Sequence, residues 1–270
     1  MKKWILLVIS LSLLWMGAQL YPVIPLQDKP PEAIMVSKEN IFAKLKQASQ
    51  EQPHLNYLVL GDSVAQGFGS EKTGPHGYSS LVVKGLGKEE IPLDLINRGV
   101  VGQTSGKLRH YIQKEKVQQD IEKADLISLT IGGNDLLKEV LRDGNPLQLL
   151  SEFDRVHETY RQNLSSILSH IRSVNKDAPI LITSLYNPIS PEEVYYRISN
   201  QLLLRWNIGL KKVAYQYPST YVVDVDNRLR ASKGDWLSDQ IHPNDRGYRL
   251  IAEGILDEIR TNRAASASAR

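Results

Sequence analysis

Apolar residues fall into five short runs along the chain, and polar or glycine-bearing segments follow them. Leu55 to Leu60 ends at Gly61, Leu93 to Ile96 at Asn97, and Leu126 to Ile131 at Gly132-Gly133. Ile180 to Leu185 ends ahead of Asn187-Pro188, and Tyr221 to Val225 is the fifth run. Near-continuous apolar runs of this length suit strands covered on both faces, as in a parallel sheet. The stretches between them change period. Phe153, Val156, Tyr160, Leu164, Ile167, Leu168, Ile171 and Val174 recur at helical steps, as do Ile198, Leu202, Trp206, Leu210 and Val213. Ile251, Ile255 and Ile259 predict a last helix. Strands alternating with helices predict an α/β chain: a three-layer α/β/α sandwich around a mostly parallel five-stranded sheet. Sheets of this kind bind ligands beyond the carboxyl ends of their strands.

The two ends of the chain read differently from the body. Lys2 and Lys3 precede a stretch, Trp4 to Gln27, with no charged residue. Residues 1–27 are therefore expected to be a signal peptide or an N-terminal membrane anchor. The run from Trp4 to Leu26 is long enough to span a bilayer, and Met16 stands where a cleavage site ending at Ala18 wants a small residue. These features tilt the reading towards an uncleaved anchor. In either case the lysines stay inside and the body lies outside. Residues 28–53, with Pro30-Pro31 and then Ile41, Phe42 and Leu45, read as a tether and a short helix. Residues 54–262 form the expected catalytic domain, and the Ala/Ser-rich residues 263–270 a flexible tail.

Composition narrows the chemistry. The chain is 41% hydrophobic and 23% charged, which is ordinary for a globular body. The net charge is only +3, and Lys2 and Lys3 supply two of those charges, so no basic excess points to nucleic acid. There is no cysteine, which excludes disulfides, thiolate metal sites, a cysteine nucleophile and a lipid anchor on cysteine.

Four polar segments at predicted strand ends or near the C-terminus carry candidate chemistry. Ser63, in Gly61-Asp62-Ser63, follows the first strand directly. A serine hydroxyl becomes a nucleophile when a base takes its proton, and the same position would also suit a helix cap. No glycine follows two residues after Ser63, so the α/β-hydrolase elbow is disfavoured. His242, in Asp239-Gln240-Ile241-His242-Pro243, is the one histidine of six with an aspartate three residues earlier in a polar C-terminal segment. A triad base needs a carboxylate on its second ring nitrogen. Asp239 can serve if the chain turns, and Asp235 and Asp245 compete for the role. Asn134, in Gly132-Gly133-Asn134-Asp135, could face a developing oxyanion from a glycine turn. Gly102, in Asn97-Arg98-Gly99-Val100-Val101-Gly102-Gln103-Thr104, could add a backbone donor where a helix begins, with Thr104 as its cap. Plain turns would use the same residue types.

Together these segments resemble the four blocks of the SGNH hydrolases, also called GDSL esterases and lipases. Ser63, Gly102, Asn134 and His242 stand at the four positions that give the family its letters, and Asp239 completes its Asp-x-x-His block. The resemblance runs from about Leu55 to about Ile259. Val64 departs from the Leu of the GDSL name, and Gln103 stands where many members have Asp. The resemblance implies a flavodoxin-like fold and a serine esterase or lipase with Ser63, His242 and Asp239 as its triad. Its oxyanion hole would comprise Ser63, Gly102 and Asn134, with no metal or cofactor. The implied partners are a small-molecule or lipid ester and, through the N-terminal segment, a membrane. Lipid or short acyl esters rank first as substrates. O-acetyl removal from an envelope glycan, acyl transfer, and a non-catalytic envelope binding protein remain as alternatives. Two segments are candidate specificity loops over the site, Leu136 to Glu152 and Tyr186 to Trp206, although the leucines there would equally suit the core of a helix.

Overall fold

A computed structural model describes residues 40–71, 76–142, 146–232 and 234–261, with the side chains of residues 139–150 outside that description. The expected export segment, residues 28–39 of the tether and the 263–270 tail also lie outside the described residues. Five strands form one sheet: β1 (Leu55–Gly61), β2 (Leu93–Gly99), β3 (Leu126–Thr130), β4 (Ile180–Thr183) and β5 (Thr220–Val223). Their order across the sheet is β2-β1-β3-β4-β5, and every pairing is parallel.

Alternation along the inner strands supplies two cores. Leu58 and Leu60 of β1, with Ile127, Leu129, Ile180, Ile182 and Val222, face one helical layer. That layer contains α4 (Ser105–Tyr111), α5 (Glu115–Lys123), α7 (Pro146–Val174) and α8 (Tyr196–Ala214). Leu55, Tyr57 and Val59, with Leu126, Leu181, Tyr221 and Val223, face the other. There α1 (Ile41–Glu51), α3 (Gly77–Gly87), α9 (Val225–Ala231) and α10 (Asp245–Thr261) cover the sheet. The α/β/α sandwich expected from the apolar runs is the observed architecture, and its sheet is wholly parallel. No helix among the described residues is long and apolar enough to cross a membrane.

Three details depart from the sequence expectation. First, β2 lies at the sheet edge, and Asp94, Leu95 and Asn97 are exposed rather than buried on both faces. Second, the segment expected as a loop from Leu136 to Glu152 is mostly helical, because α6 (Gly133–Arg142) starts at the glycine turn itself and α7 begins at Pro146. Gly-Gly-Asn-Asp is a helix start as well as a turn, since Asn and Asp are favoured in both places. Third, Val225 opens α9 instead of closing β5, because the Asp224 side chain accepts the Asn227 N–H and starts a helix there.

The register of the three neighbouring strands positions everything that follows. Gly61 lies opposite Gly99 on one side and Thr130 on the other, so β1, β2 and β3 end at the same level. The residues after each end therefore project onto one rim.

Candidate active site

Gly61 makes the first turn possible. Its φ of +134° suits glycine, and a Cβ there would stand 1.9 Å from the Thr130 carbonyl oxygen. The chain then enters a one-turn helix, α2 (Ser63–Gln66). The cap is Asp62, not Ser63: the Asp62 carboxylate accepts the Val64 N–H at 3.0 Å and the Thr130 hydroxyl at 3.1 Å. That assignment releases the Ser63 hydroxyl from local duty. Burial of the Asp62 carboxyl pushes its pKa up to about 6 against those hydrogen bonds. Sequence reasoning offers the cap to Ser63, although Asp and Ser cap about equally well and Asp62 stands one residue earlier.

Ser63 is only 7% exposed, and its Oγ lies 3.1 Å from Nε2 of His242. The other ring nitrogen, Nδ1, lies 2.7 Å from Oδ2 of Asp239. Oδ1 of the same carboxylate accepts the backbone N–H groups of Ile241 at 2.8 Å and His242 at 2.7 Å. Asp239 thus forms the turn and reaches the ring with separate oxygens. Its partial burial would raise its pKa, but the two N–H donors and the imidazole outweigh that and hold the carboxyl below its ordinary value. The competitors do not partner the ring: Nδ1 of His242 is taken by Asp239, and the Asp245 carboxylate accepts the Glu71 N–H instead.

The segment around His242 is held by short-range bonds. Asn244 caps α10, accepting the N–H groups of Arg246 and Gly247. Pro243 makes an isolated antiparallel bridge to Leu237. One long-range support comes from the segment after β4, where the Tyr186 hydroxyl donates to the Ile241 carbonyl at 2.7 Å.

On the opposite side, Gly102 has φ +72° and open space where a side chain would be. Thr104 caps α4 as expected, accepting the Lys107 N–H. The Asn134 amide donates one hydrogen to the Gln103 carbonyl at 3.0 Å and keeps a second N–H. Asp135 clamps the two segments together, accepting the Ser105 N–H at 2.9 Å and the Ser105 hydroxyl at 2.6 Å. Asn163 of α7 donates to that same hydroxyl at 3.0 Å. Desolvation raises the Asp135 pKa against the two Ser105 hydrogen bonds. Behind the turn, Tyr160 and Trp206 stack 4.3 Å apart and fill the place where a Cβ on Gly132 would go. Neither the Ser63 nor the Gly102 backbone N–H has an acceptor among the described residues.

All five residues grouped from sequence therefore meet at one rim. The sequence reading missed Asp62 as cap, the Asp135–Ser105–Asn163 clamp, Tyr186, and Phe68, whose ring lies 4.5 Å from the His242 ring. Of these, Asp62 and Asp135 lie inside the motifs singled out from sequence, and Tyr186 opens a segment expected to border the site. Ser105, Asn163 and Phe68 are single residues without a pattern. Among the described residues, no group of three or more His, Asp or Glu side chains is arranged to hold a metal ion.

A serine hydroxyl, a carboxylate-backed imidazole and free donors at a glycine-lined rim define a class of acyl-group enzyme. The family pattern of the GDSL-like lipases/acylhydrolases matches residues 59–250. The chain belongs to that family and is an ester hydrolase. YpmR of Bacillus subtilis (strain 168), described as uncharacterized, is 31% identical over 218 residues, covering 78% of this chain and 84% of YpmR. The spore germination lipase LipC of Bacillus licheniformis is 26% identical over 211 residues, covering 74% of this chain and 94% of LipC. Among solved structures, the lipase Lip_vut3 from a goat rumen metagenome superposes with a TM-score of 0.61 at 24% identity, over 75% of this chain and 96% of its own. Axe2, an acetylxylan esterase from Geobacillus stearothermophilus, gives 0.58 at 22% identity, over 76% and 94%. These two share the fold.

Proposed function

We propose that this ester hydrolase works through Ser63 as nucleophile, His242 as general base and acid, and Asp239 as the carboxylate that orients the imidazole. The observation that carries the reading is the unbroken hydrogen-bonded line from Ser63 Oγ through both His242 nitrogens to Asp239, at 3.1 and 2.7 Å. Asp239 stays ionised because its depressed pKa keeps it a carboxylate, so it fixes the Nδ1–H tautomer and leaves Nε2 free to accept. His242 takes the Ser63 proton as Oγ bonds to the ester carbonyl carbon. The carbonyl oxygen becomes an oxyanion facing the N–H groups of Ser63 and Gly102 and the second N–H of Asn134. Collapse expels the alcohol, which His242 protonates, and leaves an acyl group on Ser63. A water molecule then gives a proton to His242 and its oxygen to the acyl carbon, so the acid leaves and Ser63 regains its proton.

Carboxylic esters of lipid or short acyl type are the proposed substrates, a reading supported by the likeness to the lipase LipC, which spans 94% of LipC and 74% of this chain. We further propose that the body is exported and lies on the outer face of the cell membrane, or is secreted. Lys2 and Lys3 ahead of an uncharged apolar run support that location. A reporter fused after the body tests it, since cytoplasmic activity of the reporter would contradict export. The function itself is tested with nitrophenyl esters from acetyl to palmitoyl, using Ser63→Ala as control. Activity lost in that variant supports the reading, and equal activity in the variant overturns it.

A further inference from the structure

Phe68 has no part in the chemistry above, yet its ring packs against the imidazole of His242. Its ring centroid lies 4.5 Å from that of His242 with the planes tilted by 53°. The side chain is nonetheless 45% exposed, in a body that buries most of its large apolar residues.

The position is built, not incidental. Gly67 and Gly69 flank Phe68 with φ of +91° and +94°, conformations that let the chain fold back over the site. A Cβ on Gly69 would stand 2.3 Å from the Ser238 hydroxyl and 2.6 Å from the Pro243 carbonyl, so this loop is pressed against the segment carrying His242. The Phe68 N–H donates to the Ser63 carbonyl at 3.0 Å. Its own carbonyl accepts the hydroxyl of the buried Tyr248 at 2.6 Å. An exposed aromatic ring is thus tied by its backbone to the nucleophile turn and to α10.

Which half of an ester meets this ring follows from the reaction. The oxyanion faces Gly102 and Asn134. The departing oxygen must come within hydrogen-bonding reach of His242 Nε2, because that nitrogen returns the proton. The first atoms of the alcohol are therefore within a few bonds of the imidazole, and the ring packed on the imidazole adjoins the alcohol half, not the acyl half.

We propose that Phe68 is a specificity-determining residue that selects esters whose alcohol presents a flat, carbon-rich ring face, such as a phenol or a pyranose. An open aromatic face favours stacking with such a ring over a flexible chain. This rests on the assignment of Ser63 and His242, and it names the half of the substrate that the assignment leaves open.

The experiment holds the acyl group constant and varies the alcohol. Values of kcat/KM are measured for phenyl acetate, a mono-acetylated methyl glucoside, ethyl acetate and glycerol acetate. The enzymes are wild type, Phe68→Ala, Phe68→Leu, Phe68→Tyr, Val101→Ala and Ser63→Ala, each checked by thermal melting. Phe68→Ala and Phe68→Leu should lower kcat/KM for the two ring alcohols by about 3- to 10-fold more than for ethyl and glycerol acetate. The difference should appear mainly in KM. Phe68→Tyr should restore the preference, and Val101→Ala, on the oxyanion side, should leave it unchanged. A preference confined to phenyl acetate would narrow the alcohol to an aryl ring, and one confined to the glucoside to a sugar. An equal fall across all four alcohols would overturn the proposal and reduce Phe68 to a support for His242, as would no fall at all. If Phe68→Ala unfolds, Phe68→Leu carries the same comparison. Full activity in Ser63→Ala would instead overturn the underlying site assignment, whatever Phe68 does.

Discussion

Ser63 is approached from two sides, and the two sides are held differently. On the side proposed to face the oxyanion, Gly61, Gly99 and Thr130 end three aligned strands, and the turns beyond them are joined by Asn134 to Gln103 and by Asp135 to Ser105. Most of those bonds cross between elements far apart in sequence. On the side of the proposed acid–base pair, His242 stands on a polar segment whose bonds are mainly local: Asp239 to residues two and three ahead, and Asn244 to residues two and three ahead. Asp239 is 45% exposed there. One side inherits its geometry from the sheet, whereas turn chemistry sets the other. Damage to the first should therefore cost stability along with activity, and damage to the second should cost activity alone.

The largest effect separates chemistry from folding. Ser63→Ala and His242→Ala should each lower kcat by roughly 10⁴-fold or more, and the melting temperature of each should stay near that of wild type. The double variant should be hardly slower than either single one, because the two groups act as a unit; additive losses in a steady-state assay would show that they do not.

The same contrast predicts that Gly61→Ala fails differently. The methyl group would meet the Thr130 carbonyl, and its φ is one that L residues rarely adopt. Strain and clash together should cost about 3 kcal/mol or more of stability, visible as a lower denaturant midpoint. A variant that kept the wild-type midpoint would mean that the sheet does not set this side.

Asn134→Ala should reduce kcat by about 100- to 1,000-fold with little change in KM, and near-full turnover would remove Asn134 from the oxyanion hole. Asp135→Asn keeps the volume but weakens the acceptor for Ser105. It should combine a smaller loss of kcat, about 10-fold, with a lower melting temperature, a pairing expected on the oxyanion side only.

The smallest expected effect is a slope. Burial raises the Asp62 pKa from its ordinary value of 3.8 to about 6 in the folded chain. The folded state thus binds more protons than the unfolded state between those values. The contribution of Asp62 to stability is present below about pH 4 and is lost as pH rises through about 6. Asp62→Asn keeps an oxygen that can accept from Val64 and Thr130, and should flatten that part of the curve of melting temperature against pH. An unchanged curve would show that Asp62 does not titrate in this window.

Legibility in the sequence follows the same division. The inner strands are visible because residues buried on both faces form unbroken apolar runs, as in Leu126 to Thr130. The long helices are visible because α7 and α8 bury one stripe each. The edge strand β2 misleads because Leu93, Leu95 and Ile96 read as apolar while their neighbour pairing leaves one side open. The start of α6 is hidden because Gly-Gly-Asn-Asp carries turn and helix-start signals at once. Asp239 and His242 stand out as a local pair, three residues apart. The Asp135–Ser105–Asn163 clamp and the packing of Phe68 on His242 are not legible, since both depend on contacts between residues 30 to 174 positions apart.

The most direct test of the account is to locate the acyl-enzyme. The protein is incubated with a fluorophosphonate, a reagent that traps serine nucleophiles, and then digested and read by mass spectrometry. The account predicts a single adduct on the peptide containing Ser63, absent from Ser63→Ala and formed far more slowly in His242→Ala. An adduct on another residue, or none on a folded protein that still cleaves esters, would contradict it.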